Sequence, residues 1–232
     1  MRRLKTGGIT PFTATDYPGL LSAVVFVQGC PWRCGYCHNP HLQERTPHSP
    51  LAWDEVLSLL ERRIGLIDAV VFSGGEPTMD PALADALREV REMGFKTGLH
   101  SGGTHPRRLE SVLPLLDWVG FDVKAGFADY ERVTKVQDSG APALRGLQAV
   151  LASDVDYECR TTAHPALLSE AEILSLARTL AGMGVQDYAL QVFRPQGCGD
   201  AALNASAQAH YPSAALAAEL GRLFPSFTLR RG

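Results

Sequence analysis

Gln28-Gly29-Cys30-Pro31-Trp32-Arg33-Cys34-Gly35-Tyr36-Cys37-His38-Asn39 sets three thiols in a C-x3-C-x2-C array at the end of an apolar run, Leu20 to Val27. Pro31 and Gly35 bend the intervening chain, so three soft sulfur donors can converge on one small inorganic object. Donors of this kind suit an iron–sulfur cluster or zinc. Three is the informative number, because a closed structural zinc or a cube-shaped cluster normally takes four protein ligands. A three-ligand site leaves one metal corner for something that is not protein.

Outward from that loop, 232 residues with 45% hydrophobic and 20% charged side chains suffice for one large globular domain with a real core. A net charge of -3 gives no basic footprint for nucleic acid. The short basic clusters Arg2-Arg3-Lys5 and Arg230-Arg231 read as solvated ends. No apolar segment reaches membrane-spanning length and the N-terminus lacks a signal-peptide core, so a cytoplasmic protein is expected. Five cysteines, three of them packed together, fit metal binding in a reducing compartment better than a disulfide framework.

Near-continuous apolar runs at Ser22–Val27, Ala69–Phe72, Lys96–Leu99, Val119–Val123, Tyr157–Thr162 and Tyr188–Phe193 read as parallel strands buried on both faces. Helical spacing occupies the intervals Leu51–Arg63, Pro81–Met93, Pro106–Leu115, Ala143–Leu151 and Ser169–Gly182. Ser169 with Glu172 makes a capping box, and Gly94 suits a helix end. Such alternation means βαβ units, and six of them give an incomplete barrel or a doubly wound sheet. The segment Asp200–Ala215 reads as a loose connection, followed by a helix at Ala214–Leu223 and a short closing strand at Phe227–Leu229. One domain over residues 1–232 is expected, with its core at about 13–197 and an appended tail at 198–232.

In parallel α/β folds ligands bind at the carboxyl ends of the strands. There the sequence places the cysteine loop, Ser73-Gly74-Gly75-Glu76-Pro77, His100-Ser101-Gly102-Gly103, Asp122-Val123-Lys124, Arg160-Thr161-Thr162, and Arg194-Pro195-Gln196-Gly197. Gly74 and Gly75 let backbone approach a ligand, and Glu76 supplies an acceptor for an ammonium or for ribose hydroxyls. Asp122 and Lys124, two apart on a strand, point to one face and would grip both charges of a zwitterion; taken alone, they also read as an ion pair. Likewise Gly74-Gly75 before Pro77 also reads as an ordinary strand-to-helix turn.

Cys159 reads as a core thiol, whereas Cys198 lies in the last loop within reach of the site. His38, His41 and His48 are the candidates for a fourth ligand in a zinc site. His100, His105, His164 and His210 have no ligand spacing and read as surface or satisfied side chains. No Ser–His–Asp or paired-carboxylate arrangement stands out.

The cysteine array with Tyr36 before its last thiol resembles the signature of radical S-adenosylmethionine enzymes. Phe26-Val27-Gln28-Gly29-Cys30, Cys37-His38-Asn39 and Asp16-Tyr17-Pro18-Gly19 resemble the activating enzymes of glycyl radical enzymes. Arg160-Thr161-Thr162-Ala163-His164-Pro165 and Phe193-Arg194-Pro195-Gln196-Gly197 resemble the longer form found among activators of anaerobic ribonucleoside-triphosphate reductase. The resemblance spans Thr13 to Gly197. It implies an α/β fold, an incomplete six-stranded parallel β/α barrel. It further implies a four-iron four-sulfur cluster on Cys30, Cys34 and Cys37, with S-adenosylmethionine chelated by the fourth iron. By the same likeness Gly74, Gly75 and Glu76 would bind the methionine ammonium, Tyr36 would present backbone to the adenine, and Asp122 and Lys124 would contact the cofactor. Arg194 stands where pyruvate formate-lyase activators carry a histidine, and inherits its cofactor contact. The turn Asp16–Gly19 would lie beside the partner's glycine loop.

The implied reaction needs a small electron donor such as flavodoxin or ferredoxin. Reduction cleaves the sulfonium, and the resulting 5′-deoxyadenosyl radical takes hydrogen from a glycine α-carbon of the reductase; no general base is required. Residues 38–73 carry no cysteine, so the ferredoxin-like insertion of several activators is absent. The alternatives are a pyruvate formate-lyase activator, a radical enzyme acting on a small molecule, a zinc-stabilised binding module, and a non-catalytic electron-transfer protein.

Overall fold

The computed structural model describes residues 3–208 and 210–231; Arg2 lies outside them. Eight strands form one sheet in the order of the chain: β1 (Thr6–Thr13), β2 (Ser22–Val27), β3 (Ala69–Gly74), β4 (Lys96–Ser101), β5 (Trp118–Asp122), β6 (Asp156–Ala163), β7 (Asp187–Val192) and β8 (Ser226–Arg230). From β2 to β8 every pairing is parallel, while β1 lies antiparallel on β2. The crossovers carry α1 (Trp53–Glu61), α2 (Leu83–Glu92), α3 (Pro106–Val112), α4 (Tyr130–Thr134), α5 (Gly140–Leu151) and α6 (Glu170–Gly182), and α7 (Ala201–Ser206) and α8 (Ala214–Leu223) precede β8. Among the described residues no helix is long and apolar enough to cross a membrane.

The alternation of side chains along each strand sorts the interior into two parts. Ala23, Val25 and Val27 of β2, with Val70 and Phe72 of β3, pack outward against the helices in the main core. Val24 and Val71 point inward and meet Tyr17 and Trp118 in a small separate cluster. Each fully buried valine or leucine contributes about 1.5–3 kcal/mol, so the outer layer supplies most of the stability. The inner cluster instead plugs the lumen.

The sheet curls, since the loop after β2 and residues at the ends of β3 through β8 line one cavity. β2 and β7 are five strand steps apart, about 24 Å in a flat sheet. Yet His38, after β2, bonds the carbonyl of Arg194, after β7, at 2.9 Å. No β8–β1 pairing closes the ring among the described residues, so the barrel is incomplete. The six expected strands are β2–β7.

The expected helix signals are present where side chains make them. Ser169 Oγ accepts from the Glu172 amide, and the Glu172 carboxylate accepts from Ser169 N; Gly94, φ 91°, follows α2. Three segments differ from expectation. β1 has no signal in the sequence, because Gly7, Gly8 and Pro11 are poor strand formers; the strand survives by pairing with β2 around two irregularities in register. The loose connection at 200–215 instead contains α7, started by Asp200, whose carboxylate accepts from the Ala202 and Leu203 amides. The five-residue α4 is too short to show periodicity.

Candidate active site

A cavity of about 790 Å³ opens at the carboxyl ends of the strands and is lined by residues of every crossover loop named above. A larger groove, about 980 Å³, lies outside the barrel between α3 and α5. It contains none of the glycine or thiol motifs, so the chemistry points to the strand-end cavity.

The cysteine loop forms one wall. Its start is tied by the Gly29 and Cys30 amides to the carbonyls of Leu42 and Gln43, its middle by the Arg33 amide to Thr134 at the end of α4. All three cysteines are free, partly buried and on the cavity surface. Burial, with the Glu76 carboxylate adding to it, pushes the Cys30 thiol up to about 12. Burial likewise raises Cys34, against the attraction of Lys124. Thiols so placed are poor nucleophiles at neutral pH; a metal would draw off their protons. Among the described residues no three His, Cys, Asp or Glu side chains close round a single ion. A cube-shaped cluster offers each thiolate its own iron, so the donor set fits a cluster better than zinc. His38, a candidate zinc ligand, directs Nε2–H at Arg194 O instead.

The second wall is built from backbone. Gly74 has φ 108°, and a Cβ there would stand 2.6 Å from the Val27 amide nitrogen; one on Gly75 would lie on the Gly29 carbonyl. Only glycine permits this close approach. The Gly75 and Glu76 amides donate to Val27 and Gly29. The Glu76 carboxylate is 2% exposed. It accepts from Thr78 N and Oγ1, Ser101 Oγ and Gly102 N, at 2.6–3.2 Å. The side chain expected to meet an ammonium is thus occupied as a strut between the β3 and β4 ends.

The third wall is charged. Asp122 lies 3.6 Å from Lys124 and 2.9 Å from Arg160, so the two expected residues share one face and also form an ion pair. Burial opposes charge on Asp122, but Arg160, Lys124 and His100 outweigh it and hold the carboxyl below its usual range. Burial also opposes charge on Lys124, yet Tyr36, Asp122 and Cys34 keep its pKa well above the usual lysine value. Its Nζ sits 5.5 Å from the Tyr36 ring centre and 5.9 Å from that of Trp32. Tyr36 is buried, and Arg194 is exposed at the rim.

Arg160 and His100, which the sequence places at strand ends without a role, acquire one here, and two further residues join the lining. Arg160, 7% exposed, bonds Asp122 and the Gly120 carbonyl, in space that a Cβ on Gly120 would fill. His100 bonds Ser73 Oγ and, from Nε2–H, the Asp16 carbonyl. Burial and Arg160 lower it from 6.5 to about 4, so it is neutral. Gln191 and Arg230 complete the rim. For Gln191, and for Arg230, which is expected as a solvated end but bonds Glu158, the only signal is the inward phase of the strand. Cys159 is core and Cys198 is buried.

Residues 24–179 match the Radical SAM superfamily. A glycyl-radical enzyme activating enzyme of Methanocaldococcus jannaschii is 32% identical over 197 residues, covering 82% of this chain and 80% of its own. A pyruvate formate-lyase-activating enzyme of Clostridium pasteurianum is 37% identical over 114 residues, about half of either chain (47% and 48%). Among solved structures, QueE of Escherichia coli superposes with TM-score 0.55 at 16% identity, covering 99% of this chain and 94% of that one. The enzyme anSMEcpe with bound AdoMet gives 0.58 at 14% identity, covering 72% and 49%. These structural likenesses carry the fold.

Proposed function

The chain belongs to the radical S-adenosylmethionine superfamily and, within it, to the glycyl-radical-enzyme activating enzymes, and from that membership we propose that it installs the glycyl radical of anaerobic ribonucleoside-triphosphate reductase. Its cofactors are those of the superfamily, a four-iron four-sulfur cluster and S-adenosylmethionine, and its partner is a glycyl radical enzyme. When bound, these cofactors supply the one-electron chemistry that removes hydrogen from a glycine α-carbon.

The chain's own part is to bind, orient and exclude water. Cys30, Cys34 and Cys37 hold the cluster. The backbone at Gly74 and Gly75 takes the methionine ammonium, while Glu76, locked by Ser101 and Gly102, keeps that backbone in place. Lys124 and Asp122 meet the carboxylate and ammonium ends as a preformed pair of opposite charges. Tyr36 offers backbone to the adenine, and Arg194 contacts the cofactor from the rim. Asp16, whose carbonyl is held by His100, faces the incoming glycine segment. Residues 13–197 form the working unit, a small donor such as flavodoxin or ferredoxin delivers the electron, and the setting is cytoplasmic.

One observation carries this reading: three thiols, Gly74–Glu76, Asp122, Lys124 and Arg194 line one cavity at the strand ends. The choice of reductase as target rests on the Arg160–Pro165 and Phe193–Gly197 motifs. The second reading, a pyruvate formate-lyase activator, is favoured by the 37% identity over 114 residues noted above. Anaerobic incubation of the reduced protein with S-adenosylmethionine and each partner, followed by electron paramagnetic resonance, separates them. A glycyl doublet on the reductase supports the proposal; a doublet on pyruvate formate-lyase alone overturns its choice of target.

A further inference from the structure

The chain that follows β7 does more than lead to β8. Four contacts join the chain after β7 to the cysteine loop after β2. His38 Nε2–H donates to the Arg194 carbonyl at 2.9 Å. The His38 ring stacks on Phe193, with centres 6.0 Å apart and planes 20° apart. Cys198 Sγ donates to the Gly35 carbonyl at 3.4 Å. Gly197, φ 85°, passes so close to His38 that a Cβ there would stand 2.9 Å from the His38 carbonyl.

A second tier holds these residues in turn. Phe193 meets the ring of fully buried His164 edge-on at 4.8 Å, and His164 bonds the Leu203 carbonyl of α7. Asn204, also on α7, donates to the Cys198 carbonyl. Leu203 reaches under Gly35, where a Cβ would meet it at 3.2 Å. The residues gripped, Gly35 and His38, stand directly beside Cys34 and Cys37. Outer partners of this sort orient metal ligands, and their loss commonly weakens metal binding 10–100-fold.

We propose that the segment from Phe193 to Asn204 is the positioning element of the cysteine loop, and that His38 and Cys198 are positioning residues for cluster binding. The inference rests on the reading that Cys30, Cys34 and Cys37 hold the cluster. His38 acts through its Nε2 donor and Cys198 through its thiol, each pinning the backbone next to a ligand.

The test uses the full chain reconstituted anaerobically with iron and sulfide. His38→Phe keeps a ring on Phe193 and removes the donor; His38→Gln restores a donor. Cys198→Ala removes the thiol, and Cys198→Ser keeps a hydroxyl donor. Iron loss to a ferrous chelator, the paramagnetic resonance spectrum of the reduced cluster, and thermal unfolding of metal-free protein are read for each. His38→Phe and Cys198→Ala are expected to lose iron roughly 10-fold faster and to shift the spectrum, with metal-free unfolding unchanged. His38→Gln and Cys198→Ser should fall back toward wild type. Wild-type loss rates and spectra in His38→Phe and Cys198→Ala overturn the proposal. So does a His38→Gln protein as labile as His38→Phe. A wild-type chain that takes up no cluster overturns the cysteine reading beneath it, a separate and recognisable result.

Discussion

The two flanks of the cavity are built on opposite principles. On the flank of β2–β4, backbone and neutral donors do the shaping: Gly74 and Gly75 press against β2, and the Glu76 carboxylate accepts from four donors of its own protein. On the flank of β5–β8, charges line the cavity and are paired, Asp122 with Lys124 and Arg160, and Arg230 with Glu158 buried behind it. The first flank is fixed because the polar groups at its strand ends, Glu76, Ser101 and His100, are already satisfied within the protein, although Ser22 Oγ, buried at the far end of β2, has no partner. The second can exchange partners, since Asp122 is shared between Lys124 and Arg160, so one cation can turn to a ligand while the other keeps the carboxylate paired. A zwitterionic cofactor would therefore be received by a fixed edge and an adjustable one.

The largest effects on cluster content and activity should come from the fixed flank. The double substitution Cys34→Ala, Cys37→Ala is expected to abolish iron–sulfur content and S-adenosylmethionine cleavage after anaerobic reduction, as iron and product analysis would show; cleavage at the wild-type rate would refute the site. Gly75→Ala comes next. Its methyl group has only the Gly29 carbonyl to occupy, so the loop must move, at about 1–3 kcal/mol and with most of the cluster lost. Gly8→Ala, where nothing lies within 4 Å, should leave stability within about 0.5 kcal/mol of wild type. Equal thermal shifts for the two variants would show that the first flank is as pliable as the second.

The same contrast explains what could be read from sequence. The fixed flank was legible because its chemistry is contiguous: three thiols in eight residues, and Gly74-Gly75-Glu76 at the end of an apolar strand. Even there the bonds that Glu76 accepts from Ser101 and Gly102 are not legible, since these partners come from the next strand end. The charged flank is assembled from one or two side chains per strand. Asp122 and Lys124 are recognisable as an i, i+2 pair and Arg160 as a strand-end residue, but the Arg160–Asp122 pairing and the inward turn of Arg230 depend on the phase of β6 and β8, and continuous apolar runs hide that phase. The six parallel strands were legible for the reason the charged residues were not. β1 and α7 draw their stability from β2 and from Asp200, which no local periodicity reports.

On the adjustable flank, Arg230→Ala should have the greatest effect on stability. It leaves Glu158, 3% exposed, without the two 2.6 Å bonds it accepts from the guanidinium. A buried charge stripped of its partner costs about 3–5 kcal/mol, with the lower end apt here because the arginine side chain is 34% exposed. Glu158→Gln in the same background should recover part of that loss in chemical denaturation. Lys124→Met is milder for the fold, because Asp122 keeps Arg160. It should instead weaken S-adenosylmethionine binding by about 10–100-fold, the value of one charge-assisted contact of 1.5–3 kcal/mol, measured by titration of the reconstituted protein.

The smallest effect concerns the residue between the flanks. His100 is held neutral by burial and by Arg160, its pKa lowered from 6.5 to about 4. Between those values the unfolded chain takes up a proton that the folded chain refuses, so stability rises with pH across that window. The contribution is fully present above 6.5 and is lost as pH falls toward 4. Asp122 is also lowered, from 3.8, so its stabilising charge is given up only below that value and does not enter the same window. In His100→Gln the amide keeps polar contact with Ser73 and Asp16 but cannot titrate. The gap in melting temperature between wild type and His100→Gln should therefore narrow as pH falls from 6.5 to 4 and stay constant above it, other groups cancelling in the difference. Parallel curves would mean that the imidazole is hydrated enough to accept its proton in the folded state, and that the junction belongs with the adjustable flank.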